Sequence, residues 1–106
     1  MADLSKILQQ AELMQGRLQR MQEELAGLTV SASSGGGMVT ATADGKGQVR
    51  SVKIDPTVVD PKDVEMLEDL VLAAVSEAQK RAAELAEREM QKLTSGLPLP
   101  FTPPSF

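Results

Sequence analysis

From Leu4 onward, apolar residues fall at Leu4, Ile7, Ala11, Met14, Leu18, Met21, Leu25 and Leu28, separated alternately by three and four positions. That spacing keeps one stripe of an α-helix apolar for more than three heptads. A stripe of such length leaves room both for packing within a core and for a partner helix laid alongside. The predicted helix covers 3–27, with Asp3 as its N-cap and Gly27 as its stop. Gly16 lies inside it, at a cost of about 1 kcal/mol relative to Ala.

After this helix the period changes from that of a helix to that of a strand. Leu28, Val30 and Ala32 alternate with Thr29, Ser31 and Ser33, and Val39, Ala41 and Ala43 alternate with Met38, Thr40 and Thr42. A third run, "QVRSVKI", carries Val49, Val52 and Ile54. Strands are therefore predicted at 28–33, 38–43 and 48–54. The second and third are joined by "DGKG", where Asp44-Gly45 is expected to supply the positive φ angles of a tight hairpin. The first and second are joined by the Gly35–Gly37 run. A phosphate-binding loop would need Lys followed by Ser or Thr after its glycines, and a helix next. Both glycine clusters lead into strands instead, so they turn the chain of an antiparallel meander.

"DPTVVDP" ends the strand pattern, and Asp60-Pro61 reads as N-cap and first residue of a second helix over 61–93, closed by Gly96. Its 33 residues would span about 50 Å. The "LPLPFTPPSF" segment, 97–106, has four prolines and is expected to form an extended, flexible arm. One domain over 1–96 and this tail account for the 106 residues.

Composition narrows the chemistry. The chain has no Cys, His, Trp or Tyr and two Phe, and a formal net charge of −4. With no imidazole or thiol it lacks the usual base near neutral pH and the usual soft metal ligands. So few aromatic residues also line pockets poorly. The expectation is a protein that is not an enzyme, with no catalytic residues, no cofactor, no metal site and no small-molecule substrate. The N-terminus lacks the basic start and apolar run of a signal peptide. No apolar stretch nears the ~20 residues that span a bilayer, so a cytoplasmic protein without membrane contact is expected. Residues 55–69 hold six acids and one base, net −5, which leaves +1 for the remainder. Those acids surround the start of the second helix, where the macrodipole favours them.

Five stretches, in this order, resemble one family: "ELMQGRLQRMQEEL" (Glu12–Leu25), "GGGMV" (Gly35–Val39), "VKIDP" (Val52–Pro56), "EMLEDLVLAAVSEA" (Glu65–Ala78) and "GLPLP" (Gly96–Pro100). Together they are similar to the YbaB/EbfC family of bacterial nucleoid-associated proteins and cover nearly the full length. The resemblance implies an α+β protomer of order α-β-β-β-α, its three-stranded antiparallel sheet flanked by two long helices, in a tweezer-like homodimer. It also implies binding of duplex DNA with little sequence preference, at the nucleoid, with effects on nucleoid organisation and gene expression.

If DNA binds, phosphates must meet locally basic surface. The first helix offers Lys6, Arg17 and Arg20 on a face rich in glutamine, and the second offers Lys80, Arg81, Arg88 and Lys92. Glu77–Arg81 and Glu84–Arg88 have the i,i+4 spacing of intrahelical ion pairs, which would occupy those bases instead. Leu4, Ile7, Met14, Leu18, Met21 and Leu25 are the expected dimer interface, because three short, weakly apolar strands cannot cover both helical stripes. A second function fits the same chain: a protein–protein interaction module using the helices and the Pro-rich tail, with DNA binding incidental.

Overall fold

The computed structural model describes residues 4–95. The Asp3 cap, the Gly96 stop and the tail at 97–106 lie outside the described residues. The elements are α1 (Leu4–Gly27), β1 (Thr29–Ser34), β2 (Val39–Asp44), β3 (Val49–Ile54) and α2 (Val64–Ser95), with single turns at Gly35–Gly37 and Pro56–Val58. The strands form one antiparallel sheet in the order β1-β2-β3. Expected and observed elements agree in type, order and pairing.

Register sorts the side chains onto two faces. Val30 and Ala32 pair with Ala43 and Ala41, and Val39, Ala41 and Ala43 pair onward with Ile54, Val52 and Val49. These residues share one apolar face. The other carries hydroxyls, with Ser31 Oγ and Thr42 Oγ1 3.0 Å apart. α2 lies across the apolar face, and Ala74, Ala78 and Ala82, one turn apart, are fully buried against Ala32, Val39, Ala41 and Ala43. Small residues on both surfaces let helix and sheet approach closely, and Leu67, Leu70, Val71 and Val75 flank the contact.

α2 covers β1 and β2 and barely reaches β3. Val49, Val52 and Ile54 each remain 39% exposed although their strand is in register with the core. The protomer is correspondingly long and thin. Its radius of gyration is 20.0 Å with extents of 74 × 26 × 17 Å, against about 13 Å for a compact chain of this length.

Two local expectations are corrected. α2 begins at Val64, not at Pro61. Asp60 instead holds a separate turn, accepting from Lys62 N at 2.9 Å, while Asp63 accepts from Met66 N at 3.2 Å as the helix cap. Two Asp residues three positions apart competed for the role, and the one beside the first apolar turn took it. In the β2–β3 turn the positive φ belongs to Gly47, at 87°, and not to Asp44 or Gly45. Gly45 is there for space: a Cβ on it would sit 2.6 Å from the Leu25 carbonyl oxygen. The Gly35–Gly37 run does turn the chain, all three glycines having positive φ.

Candidate nucleic-acid interface

α1 returns antiparallel along the C-terminal half of α2. Gln22 and Leu25 lie near Gln79, Ala83 and Ala86, and Arg17, Arg20, Met21 and Glu24 lie near Glu89, Lys92 and Leu93. Only the C-terminal end of the α1 stripe is used inside the protomer: Met21 and Leu25 are buried, and Met14 and Leu18 are half-buried. Leu4–Gly16 forms the N-terminal arm of α1, 13 residues and about 20 Å long. On that arm Leu4, Ile7, Leu8 and Leu13 are all exposed.

The antiparallel return gathers bases that are distant in sequence. Arg17 and Arg20 from α1 and Lys92 from α2 line one open furrow of about 180 Å³, together with Glu24 and Glu89. It is too small for a nucleotide, so what it offers is its rim. Arg88 stands exposed one turn before Lys92. Among the described residues, Arg17, Arg20 and Arg88 form no ion pair, and the expected Glu84–Arg88 pair does not form. Lys92 Nζ lies 3.2 Å from Glu89 Oε1, which offsets part of its charge.

The other expected contacts are dispersed. Lys6 is exposed far out on the α1 arm, and Lys80 is exposed near the middle of α2. Arg81 serves the fold: its Nη1 donates to the Ser31 carbonyl of β1, and its Nε lies 3.5 Å from Glu77 Oε1.

Sequence reasoning missed the buried carboxylate of Asp44. It accepts at Oδ1 from Lys46 N at 2.9 Å and Gln48 N at 3.0 Å, and at Oδ2 from Arg50 Nε at 2.9 Å. Arg50 Nη2 closes the ion pair at 2.7 Å. Burial raises the Asp44 pKa, but the Gln48 and Lys46 N–H groups and the Arg50 guanidinium outweigh it, and the net shift is downward. Arg50 reaches back because it is the extra residue of a β-bulge beside Ala43. "DGKGQVR" contained all these partners, but the bulge that aims Arg50 has no mark in the sequence.

The acids of 55–69 lie at the opposite end of α2 from the furrow. The 32 residues of α2 put the two ends about 48 Å apart.

Fold and furrow define a class: a small α+β protein whose antiparallel helix pair carries exposed bases on a slender scaffold. The family model of the YbaB/EbfC DNA-binding family matches residues 1–97, and the chain belongs to that family. A nucleoid-associated protein of Gemmatimonas aurantiaca is 55% identical over 102 residues, covering 96% of this chain and 98% of the relative. One of Moorella thermoacetica is 49% identical over 100 residues, covering 94% and 96%. The crystal structure of an uncharacterized Helicobacter pylori protein shares the fold, with a TM-score of 0.72 at 21% identity, over 91% of this chain and 97% of that one.

Proposed function

We propose that this protein is a nucleoid-associated protein of the cytoplasm that binds duplex DNA as a homodimer with little sequence preference. The observation that carries the reading is the meeting of Arg17, Arg20 and Lys92 beside the C-terminal part of α2, about 34–40 Å along that helix from the acids of its first turns. Family membership and the names of the relatives support the same partner. Phosphates would be met by the arginines that lack an ion partner. The neighbouring Gln15 and Gln19 can donate hydrogen bonds to phosphate or base edges. Contacts of this kind fix position more than sequence, and so lead to low specificity.

The dimer contact we propose uses the free edge of β3 and the outward part of the α1 stripe. Arg81 donates to Ser31 O of β1, whereas β3 is the sheet's other edge strand and beside it the apolar face leaves Val49, Val52 and Ile54 each 39% exposed. An antiparallel pair of identical strands is self-complementary, as a two-fold axis requires. Leu4, Ile7, Met14 and Leu18 would then face the partner, while Met21 and Leu25 hold α1 within its own protomer. Two furrows per dimer make one bivalent site, the first contact raising the effective concentration of the second.

The deciding experiment is a gel-shift titration of a random-sequence duplex at several salt concentrations. Binding that weakens steeply with salt, and that falls when Arg17 and Arg20 or Arg88 and Lys92 are replaced in pairs by Glu, agrees with the proposal. If no duplex shifts even at low salt, the exposed apolar residues of the α1 arm and β3 make a protein–protein interaction module the better reading.

A further inference from the structure

We infer that the Asp44–Gly45 turn is a positioning device for the DNA-contacting helix, setting the angle at which α1 leaves the sheet. The inference rests on the DNA-binding reading above. It begins from how little else holds α1. Among the described residues Met21 and Leu25 are its buried side chains, with Met14, Leu18 and Ala26 half-buried. A cleft of about 300 Å³ opens beneath its last turns, between Gln22, Leu25, the Gly45–Gly47 turn and Gln79, Ala83 and Ala86 of α2. Packing alone therefore leaves the helix room to rock.

The turn closes that freedom through the backbone. Gly45 N donates to the Leu25 carbonyl at 2.8 Å and to the Leu28 carbonyl at 3.0 Å, and Leu28 N also reaches Leu25 O at 3.2 Å. Carbonyls that a helix end leaves unpaired are thus satisfied by the hairpin. The approach is close enough to exclude any side chain at 45, since a Cβ would meet Leu25 O at 2.6 Å and Leu25 Cα at 3.0 Å. Behind this contact the fully buried Asp44 carboxylate gathers Lys46 N, Gln48 N and Arg50, which fixes the turn's shape. Gln79 Nε2 donates to Gly47 O at 3.1 Å and ties the turn to α2. A continuous set of contacts therefore links α2 to the turn and the turn to the end of α1.

A small change at this pivot becomes a large one along the lever. Arg17 lies eight residues before Leu25 and Leu4 lies 21 before it. At 1.5 Å per residue, a 10° tilt moves the helix axis by about 2 Å at Arg17 and by about 5–6 Å at Leu4. The first changes the spacing of Arg17 and Lys92 across the furrow, and the second the span between the arms of a dimer.

The test uses the full chain, whose lack of cysteine allows nitroxide labels at Gln10→Cys and Gln91→Cys. Labelled chains are diluted into unlabelled ones so that one pair is read per dimer. Gly45→Ala is expected to shift the mean label separation by at least 3 Å and to weaken binding of a random duplex at least fivefold at low salt. Val39→Ala, which loosens the sheet core away from the turn, should lower the melting temperature while moving neither quantity. Arg50→Gln removes only the outer half of the Asp44 cage and should shift both quantities less, in the same direction; it serves as the reporter if Gly45→Ala does not fold. An unshifted separation, or a shifted one with parental affinity, overturns the inference while the DNA reading stands. A parent chain that binds no duplex at low salt overturns the DNA reading, and this proposal with it.

Discussion

Replacing Arg17 and Arg20 together by Gln is the sharpest test of where phosphate is met. Both side chains are exposed on α1, neither forms an ion pair among the described residues, and Gln is nearly as good a helix former as Arg. The fold should be unaffected, with a melting temperature close to the parent's. The loss should appear in the salt dependence. A dimer presents four such arginines, and each phosphate contact contributes about 0.9 to the slope of log K against log salt, so the slope should fall by up to about 3.6. Between 50 and 200 mM salt, a fourfold change, the parent would lose about 150-fold in affinity through these contacts and the variant would not. Fluorescence anisotropy of a labelled random duplex across that range measures both slopes. Arg81→Gln is the matched control: Arg81 is committed to Ser31 and Glu77, so its removal should leave the slope unchanged. A double variant with the parental slope would show that the furrow is not where DNA binds.

Glu89→Gln should tighten duplex binding and steepen its salt dependence, because Lys92 then loses the carboxylate 3.2 Å away; weaker binding in the same anisotropy assay would contradict this. Ala78→Leu forces a large side chain into the fully buried contact between α2 and the sheet, and should cost about 1–3 kcal/mol in urea unfolding. Leu18→Glu should weaken the dimer and the fold together; a parent protein that is a well-folded monomer at micromolar concentration in light scattering would refute the dimer reading. Asp44 is held below the ordinary aspartate value of 3.8 by its N–H donors and Arg50, against the opposing effect of burial, and Asp55 by the Thr57 N–H and hydroxyl. A depressed folded pKa stabilises above the unfolded value and loses that contribution as pH falls through the folded one, so acid unfolding should set in below about 3.8. Asp44→Asn should flatten that limb of a melting-temperature profile.

Much of this architecture was legible because periodicity changes cleanly along the chain. The 3–4 spacing of Leu4 to Leu28, the alternation of Val39, Ala41 and Ala43, and the turn chemistry of Gly35–Gly37 each depend on near neighbours. What was not legible depends on distant ones. Val49, Val52 and Ile54 marked a strand, but their 39% exposure follows from the course of α2 over β1 and β2. Met21 and Leu25 belong to the same stripe as Leu4 and Ile7, yet the return of α1 along α2 buries the first pair and leaves the second open. Candidate bases could be sorted only in part. The i,i+4 spacing marked Arg81 as paired with Glu77, which the structure shows. It marked Arg88 equally with Glu84, a pair absent among the described residues, and the bond from Arg81 to Ser31 O had no mark at all.

The acidic balance, which argues against a DNA partner when taken as one number, has a different meaning on a body of this shape. Six acids of residues 55–69 surround the start of α2, and the exposed bases stand toward its other end, about 30–40 Å away. At physiological salt the Debye length is about 8 Å, so the acidic end is screened from a duplex held at the furrow. The charges that count are those within a Debye length of the phosphates. At the furrow itself Arg17, Arg20 and Lys92 stand with Glu24 and Glu89, and Arg88 is exposed one turn before Lys92. On the proposed DNA reading, attraction would come from Arg17, Arg20 and Arg88, which form no ion pair among the described residues. On that reading the angle of α1 matters, because it sets where Arg17 and Arg20 stand relative to α2, and we infer that the Gly45 N–H on the Leu25 carbonyl helps to fix it.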